Sequence, residues 1–112
     1  MDKFDVEVIN TIRELGIPAH VKGYEFIKTA MNYFHKNPNS IYAVTKDLYP
    51  EVAKLHKTTW TRVERGIRHA ISISRADDDA WVRVLGRTGP IPNGEFLATL
   101  NAVVKMKLVG VV

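Results

Sequence analysis

Apolar residues recur along this chain at helical spacing, and no stretch shows the strict alternation of apolar and polar positions that marks a strand. From Asp2 to Leu15, the residues Val8, Ile9, Ile12 and Leu15 line one face of a helix, with Gly16 suited to end it and Pro18 preventing its continuation. Tyr24 to His35 forms a second helix with Phe26, Ile27, Ala30, Met31 and Phe34 turned inward, a core stripe rather than a cofactor pocket. His20, in the connection between them, is expected to bond loop backbone. Asn37-Pro38-Asn39-Ser40 is a turn from which Ser40 caps a third helix running to about Leu48. Tyr42 and Tyr49 are expected to pack. Pro50 suits the first turn of a short helix, and a longer one follows over about 60–75. Asp77-Asp78-Asp79 reads as the capped start of a helix through Leu85 with Trp81, Val84 and Leu85 as anchors, rather than as a metal or acid–base cluster. After a Gly- and Pro-bearing loop from Arg87 to Pro92, Asn93 is expected to cap a last helix to about Lys107, burying Phe96, Leu97, Leu100, Val103 and Val104. Val109 to Val112 is too short for a membrane anchor and is expected to dock on the core or fray. The fold class read from this pattern is all-α: a single compact domain over 1–112, with about six or seven helices.

The segment from Val52 to Val63 has the form short helix, tight turn, second helix, so a helix-turn-helix is expected over about 50–75. Ala53 is the small residue needed where the two helices cross, and Lys57 stands where such turns often use Gly to reach positive φ. Thr59 can cap the second helix, although Thr61 with Glu64 offers a capping box two residues later. Wound at 3.6 residues per turn, the second helix puts Val63, Ile67, Ala70, Ile71 and Ser74 on one side. Thr61, Arg62, Arg65, Arg68, His69 and Ser72 fall on the other. Trp60 lies near Ile67 and Ile71 on the wheel and is expected to pack inward rather than meet DNA.

Charge sharpens this picture. The net charge is +4 over 112 residues; residues 1–45 carry five basic and five acidic side chains, residues 76–112 four and four, and residues 46–75 seven and three. The entire excess therefore falls in the helix-turn-helix, as expected for a face that meets nucleic acid, although an acidic protein partner or an anionic membrane surface would attract it equally. The absence of cysteine rules out disulfides, thiolate metal sites and thiol nucleophiles. With no signal-peptide pattern and no apolar run of the ~18 residues a membrane span needs, a cytoplasmic location and no membrane partner are expected.

Catalytic chemistry finds little support. His20, His35, His56 and His69 do not have the His-x-x-x-His spacing of a helical zinc site, no glycine-rich phosphate loop occurs, and no serine sits in a nucleophile elbow. Neither an enzyme nor a cofactor or metal is expected. On the helix over 60–75, Glu64, Arg65 and Arg68 are the candidate base readers, because they lie toward the groove in the half of the helix that usually meets bases. Arg pairs bidentately with guanine O6 and N7, and Glu accepts from cytosine N4. Arg62 and His69 flank that face toward phosphates. Lys57, Thr59 and Thr61 complete the expected backbone contacts.

Two long stretches carry a family resemblance. Thr45-Lys46-Asp47-Leu48-Tyr49-Pro50-Glu51-Val52-Ala53-Lys54, followed by Arg62-Val63-Glu64-Arg65-Gly66-Ile67-Arg68-His69-Ala70-Ile71, resembles the C-terminal DNA-binding domain of the sporulation stage zero response regulator. Gly16-Ile17-Pro18-Ala19-His20-Val21-Lys22-Gly23-Tyr24 resembles a second hallmark of that domain, and Asn93-Gly94-Glu95-Phe96-Leu97 a third. The resemblance covers nearly the whole chain in order. It implies an all-helical effector domain that binds double-stranded DNA at a TGTCGAA-like promoter box, with copies in tandem on adjacent boxes. It also implies the same reading set of Arg62, Glu64, Arg65, Arg68 and His69.

Two regions depart from the family pattern. The loop from Gly86 to Glu95 is shorter and lacks a lysine. Arg75 to Leu85, corresponding to a region that engages the RNA polymerase sigma factor, matches poorly. No alternating strand–helix pattern of a phosphoacceptor receiver domain is present, so the chain reads as an excised effector domain or a stand-alone homologue. The competing expectations are a protein-interaction module of this fold, engaging polymerase or a full-length homologue, and a binder of structured RNA.

Overall fold

The computed structural model describes residues 2–110, so Val111 and Val112 of the expected docking tail lie outside the described residues. Six α-helices follow in order: α1 (Lys3–Glu14), α2 (Lys22–Lys36), α3 (Tyr49–Leu55), α4 (Trp60–Ser72), α5 (Asp78–Leu85) and α6 (Asn93–Leu108). No strand occurs among the described residues, and the fold is all-α.

α1 begins where the Asp2 carboxylate accepts from the Asp5 amide (2.9 Å) and buries Phe4, Val8 and Ile12. It ends in a Schellman turn. Gly16 takes φ +69°, and the Gly16 and Ile17 amides bond back to Arg13 and Ile12. α6 lies along α1, fastened by the Lys107 ammonium to Glu14 (2.9 Å) and the Thr11 hydroxyl (3.0 Å). Between the outer helices, Ile12, Leu15, Ile27, Met31, Leu48, Val63, Ile67, Phe96, Leu97 and Leu100 are fully buried in one core. Each such side chain contributes on the order of 1.5–3 kcal/mol by leaving water. No helix among the described residues is long and apolar enough to cross a membrane.

The expected third α-helix from Ser40 to Leu48 is not formed. The chain instead makes a 3₁₀ turn (Pro38–Ala43) and a wide π turn (Val44–Leu48), in which the Tyr49 amide bonds the Val44 carbonyl. Pro50 explains the widening: it has no N–H for the carbonyl four residues back and its ring crowds that carbonyl, and a π turn accommodates the mismatch. Ser40 caps nothing; its hydroxyl is buried without a partner. Tyr42 does not pack but is 87% exposed on the 3₁₀ turn, whereas Tyr49 is buried. His20 is exposed, and its ring bonds no backbone among the described residues.

Candidate nucleic-acid interface: a helix held at four points

α3 and α4 form the helix-turn-helix, joined over residues 56–59. The turn is a second Schellman motif, with the Thr58 amide bonded to the Ala53 carbonyl (2.9 Å) and the Lys57 amide to Lys54 (3.3 Å). This geometry requires a left-handed residue, and Lys57 supplies it at φ +54°, the one non-glycine at positive φ among the described residues. Thr59 caps α4, its hydroxyl accepting from the Arg62 amide at 3.3 Å. Thr59 is thus the cap, and the Thr61–Glu64 alternative is not used.

Three further contacts fix α4. At its middle, Gly23 of α2 lies against Gly66: a Cβ at Gly23 would stand 2.8 Å from the Gly66 carbonyl carbon and 2.6 Å from the Ala70 Cβ. On the opposite flank, the buried Asn93 amide donates to the Glu64 carbonyl (2.9 Å) and to the Tyr49 hydroxyl (3.0 Å), joining α6 to both helices of the motif. Asn93 is therefore the first residue of α6 rather than its cap; Pro92 holds that position. Beyond the C-terminal end, the Ser74 hydroxyl donates to the Leu15 carbonyl and accepts from the Trp81 indole (2.9 Å), and the Arg75 amide bonds the Gly16 carbonyl (2.9 Å). α4 stops at Ser72, three residues short of the expected end at Arg75, because the chain turns there to dock on α1.

Val63, Ile67 and Ala70 face the core, and Arg62, Arg65, Arg68 and His69 are exposed on the opposite side with the half-buried Thr61. Lys57 and Thr59 are exposed at the turn. Glu64 lies at the edge of this face, 25% exposed in its side chain, and pairs with Arg68 at 2.9 Å. Such a solvent-facing pair adds well under ~1 kcal/mol to stability, but it orients both groups outward. Arg62 and Arg65 sit toward α2 and have no carboxylate partner among the described residues. Trp60, expected to pack inward, is instead 45% exposed, because no neighbouring helix covers that side of the first turn; Leu55 beside the turn is 60% exposed. Burial pushes the Tyr49 phenol above its ordinary pKa, keeping it neutral beneath the Glu64–Arg68 pair. Among the described residues, no group of His, Asp or Glu is arranged to hold a metal ion.

Two positioning features depend on contacts remote in sequence. A glycine inside an otherwise periodic helix costs about 1 kcal/mol relative to alanine, so Gly66 was itself the signal of a close helix crossing. Nothing local distinguished a capping Asn93 from a buried one.

The four-point mount thus fixes α4 and leaves a row of guanidinium groups facing solvent. The family model described as "Sporulation initiation factor Spo0A C terminal" matches residues 8–104, most of the chain, including every element of this mount. The chain therefore belongs to the C-terminal domain family of the sporulation initiation factor Spo0A, a family of DNA-binding transcription-regulator domains.

Proposed function

We propose that α4 enters the major groove of double-stranded DNA and reads a short TGTCGAA-like promoter box. Glu64, Arg65 and Arg68 meet base edges, and Lys57, Thr59, Thr61, Arg62 and His69 meet the backbone or the flanks of the groove. The observation that carries this reading is the exposed arginine face on a helix fixed at both ends and at its middle. A helix is 10–12 Å across and the groove about 12 Å wide, so a helix so mounted can enter as a rigid unit. Two copies on adjacent boxes form a tandem homodimer in this reading.

The test is fluorescence anisotropy with a duplex bearing two adjacent TGTCGAA-like boxes and with a scrambled duplex, each at low and near-physiological salt. A preference for the boxes that survives the higher salt is expected. Arg65→Ala should lose ~1–3 kcal/mol on the boxes and relax the choice at one base pair. Arg62→Ala should weaken both duplexes alike. Equal, steeply salt-dependent binding to both would mean phosphate attraction alone.

A second reading rests on α5, where Asp78 and Asp79 are exposed beside Val82, which is 49% exposed. An acidic rim around an exposed apolar residue suits a protein partner such as an RNA polymerase sigma factor or a full-length homologue. Under this alternative the domain binds that partner and shows no preference among DNA sequences.

A further inference from the structure

α2 lies outside the helix-turn-helix, yet its first turn reaches the arginine-bearing side of α4. The absence of side chains at Gly23 and Gly66 lets the two helices meet backbone to backbone. Lys22, exposed and next to that crossing, is thereby brought beside Arg62 and Arg65 of α4. With His56 and Thr58 of the turn, these three cations line one open cleft of about 510 Å³. None of the three cations has a carboxylate partner among the described residues, and the acid that shares the cleft, Glu25, is engaged by Lys28 at 3.3 Å. His56 forms part of the wall. It shares a 2.7 Å hydrogen bond with the Thr29 hydroxyl and stands edge-on to Phe26. The cleft thus combines an ordered wall with unneutralised positive charge at its rim.

Groove dimensions point to the occupant. A helix of 10–12 Å fills a major groove of about 12 Å, so whatever flanks the helix must meet the phosphates that border the groove. The cleft lies on that flank of α4 and shares Arg62 and Arg65 with the reading face. We propose that it seats a backbone phosphodiester of the bound DNA, with Lys22 as a phosphate contact supplied from outside the helix-turn-helix. This rests on the reading that α4 enters the major groove. The pairing of negative phosphate with Lys22 and Arg62 carries no sequence information; it sets how the domain is seated on the duplex.

The experiment is a salt titration of binding by the full chain to the two-box and scrambled duplexes. One phosphate contact contributes about −0.9 to the slope of log K against log salt. Lys22→Ala should therefore make the slope about one less negative and weaken both duplexes alike, roughly eightfold at ~0.1 M salt. Lys22→Arg should retain the slope, and Lys36→Ala, at the far end of α2, should leave it unchanged. Lys22 is exposed, so a thermal melt matching the parent verifies that the fold is intact. An unchanged slope for Lys22→Ala, with Arg65→Ala still relaxing specificity, would overturn the phosphate site and leave the groove reading standing. If neither Arg65→Ala nor Arg62→Ala altered DNA binding, the groove reading and the phosphate site would fall together.

Discussion

Adding one methyl group at Gly23 tests whether the α2–α4 crossing sets the position of α4. An alanine Cβ there would lie 2.6 Å from the Ala70 Cβ and 2.8 Å from the Gly66 carbonyl carbon, with the Gly66 carbonyl oxygen closer still. Favourable carbon–carbon contacts begin at about 3.5 Å, so the helices must part by roughly 1 Å. The obstacle is backbone and a methyl group, neither of which can swing aside. Overpacking of this kind costs about 1–3 kcal/mol, and the rigid obstacle places Gly23→Ala at the upper end. Replacing a helical glycine by alanine returns up to about 1 kcal/mol, leaving a net loss of about 2 kcal/mol. For a domain of this size that lowers Tm by roughly 8 °C. Urea unfolding followed by circular dichroism measures the difference directly. Gly94→Ala is the control, because its methyl would meet Val44 at an ordinary 3.6 Å, and a gain of up to about 1 kcal/mol is expected. If Gly23→Ala matched or exceeded the parent in urea midpoint, the crossing would not be sterically limiting, and this account of how α4 is held would be wrong.

Three other changes follow from the same geometry. Asn93→Ala should cost ~1–3 kcal/mol by stranding the buried Tyr49 hydroxyl, and adding Tyr49→Phe should recover part of that loss; strictly additive urea midpoints would argue against the shared bond. Lys57→Gly should raise stability by up to ~1 kcal/mol by relieving the left-handed backbone, while weakening binding to both duplexes through loss of a cation; a stability decrease would show that the turn does not strain Lys57. Burial raises the Tyr49 phenol above its unfolded value of about 10, so its neutral form is favoured in the folded state. Its contribution should be constant below pH ~10 and fall as pH rises beyond it, which urea midpoints between pH 8 and 11 will show for the parent and less steeply for Tyr49→Phe.

Much of the helical scaffold was legible in the residues. Thr59 and Asp77 cap α4 and α5 through side-chain oxygens, as their positions before apolar-periodic runs implied, and Asp2, expected as the first residue of its helix, is the cap of α1. The segment from Ser40 to Leu48 departs from the helix its pattern predicts because Pro50, just beyond it, removes a hydrogen bond that a regular helix would need. Trp60 departs from its place on the wheel because a helical wheel assigns every apolar residue to a covered face, whereas cover depends on which helix lies opposite. The place of Lys22 beside the arginines is not legible in the sequence because forty residues separate it from Arg62, and only the glycine contact closes that distance.

The chain's own pattern thus determined α1 to α6, the side-chain caps of α4 and α5, the helix-turn-helix and the arginine face of α4, since each of these depends on residues within a few turns of one another. Tertiary structure alone decided how α4 is mounted: which side Gly23 presses, what Asn93 bonds, where Ser74 docks, and that Lys22 stands beside Arg62 and Arg65. Those features join residues remote in sequence across a packed core, where steric fit and the pairing of buried polar groups select one arrangement from the many that the same helices permit.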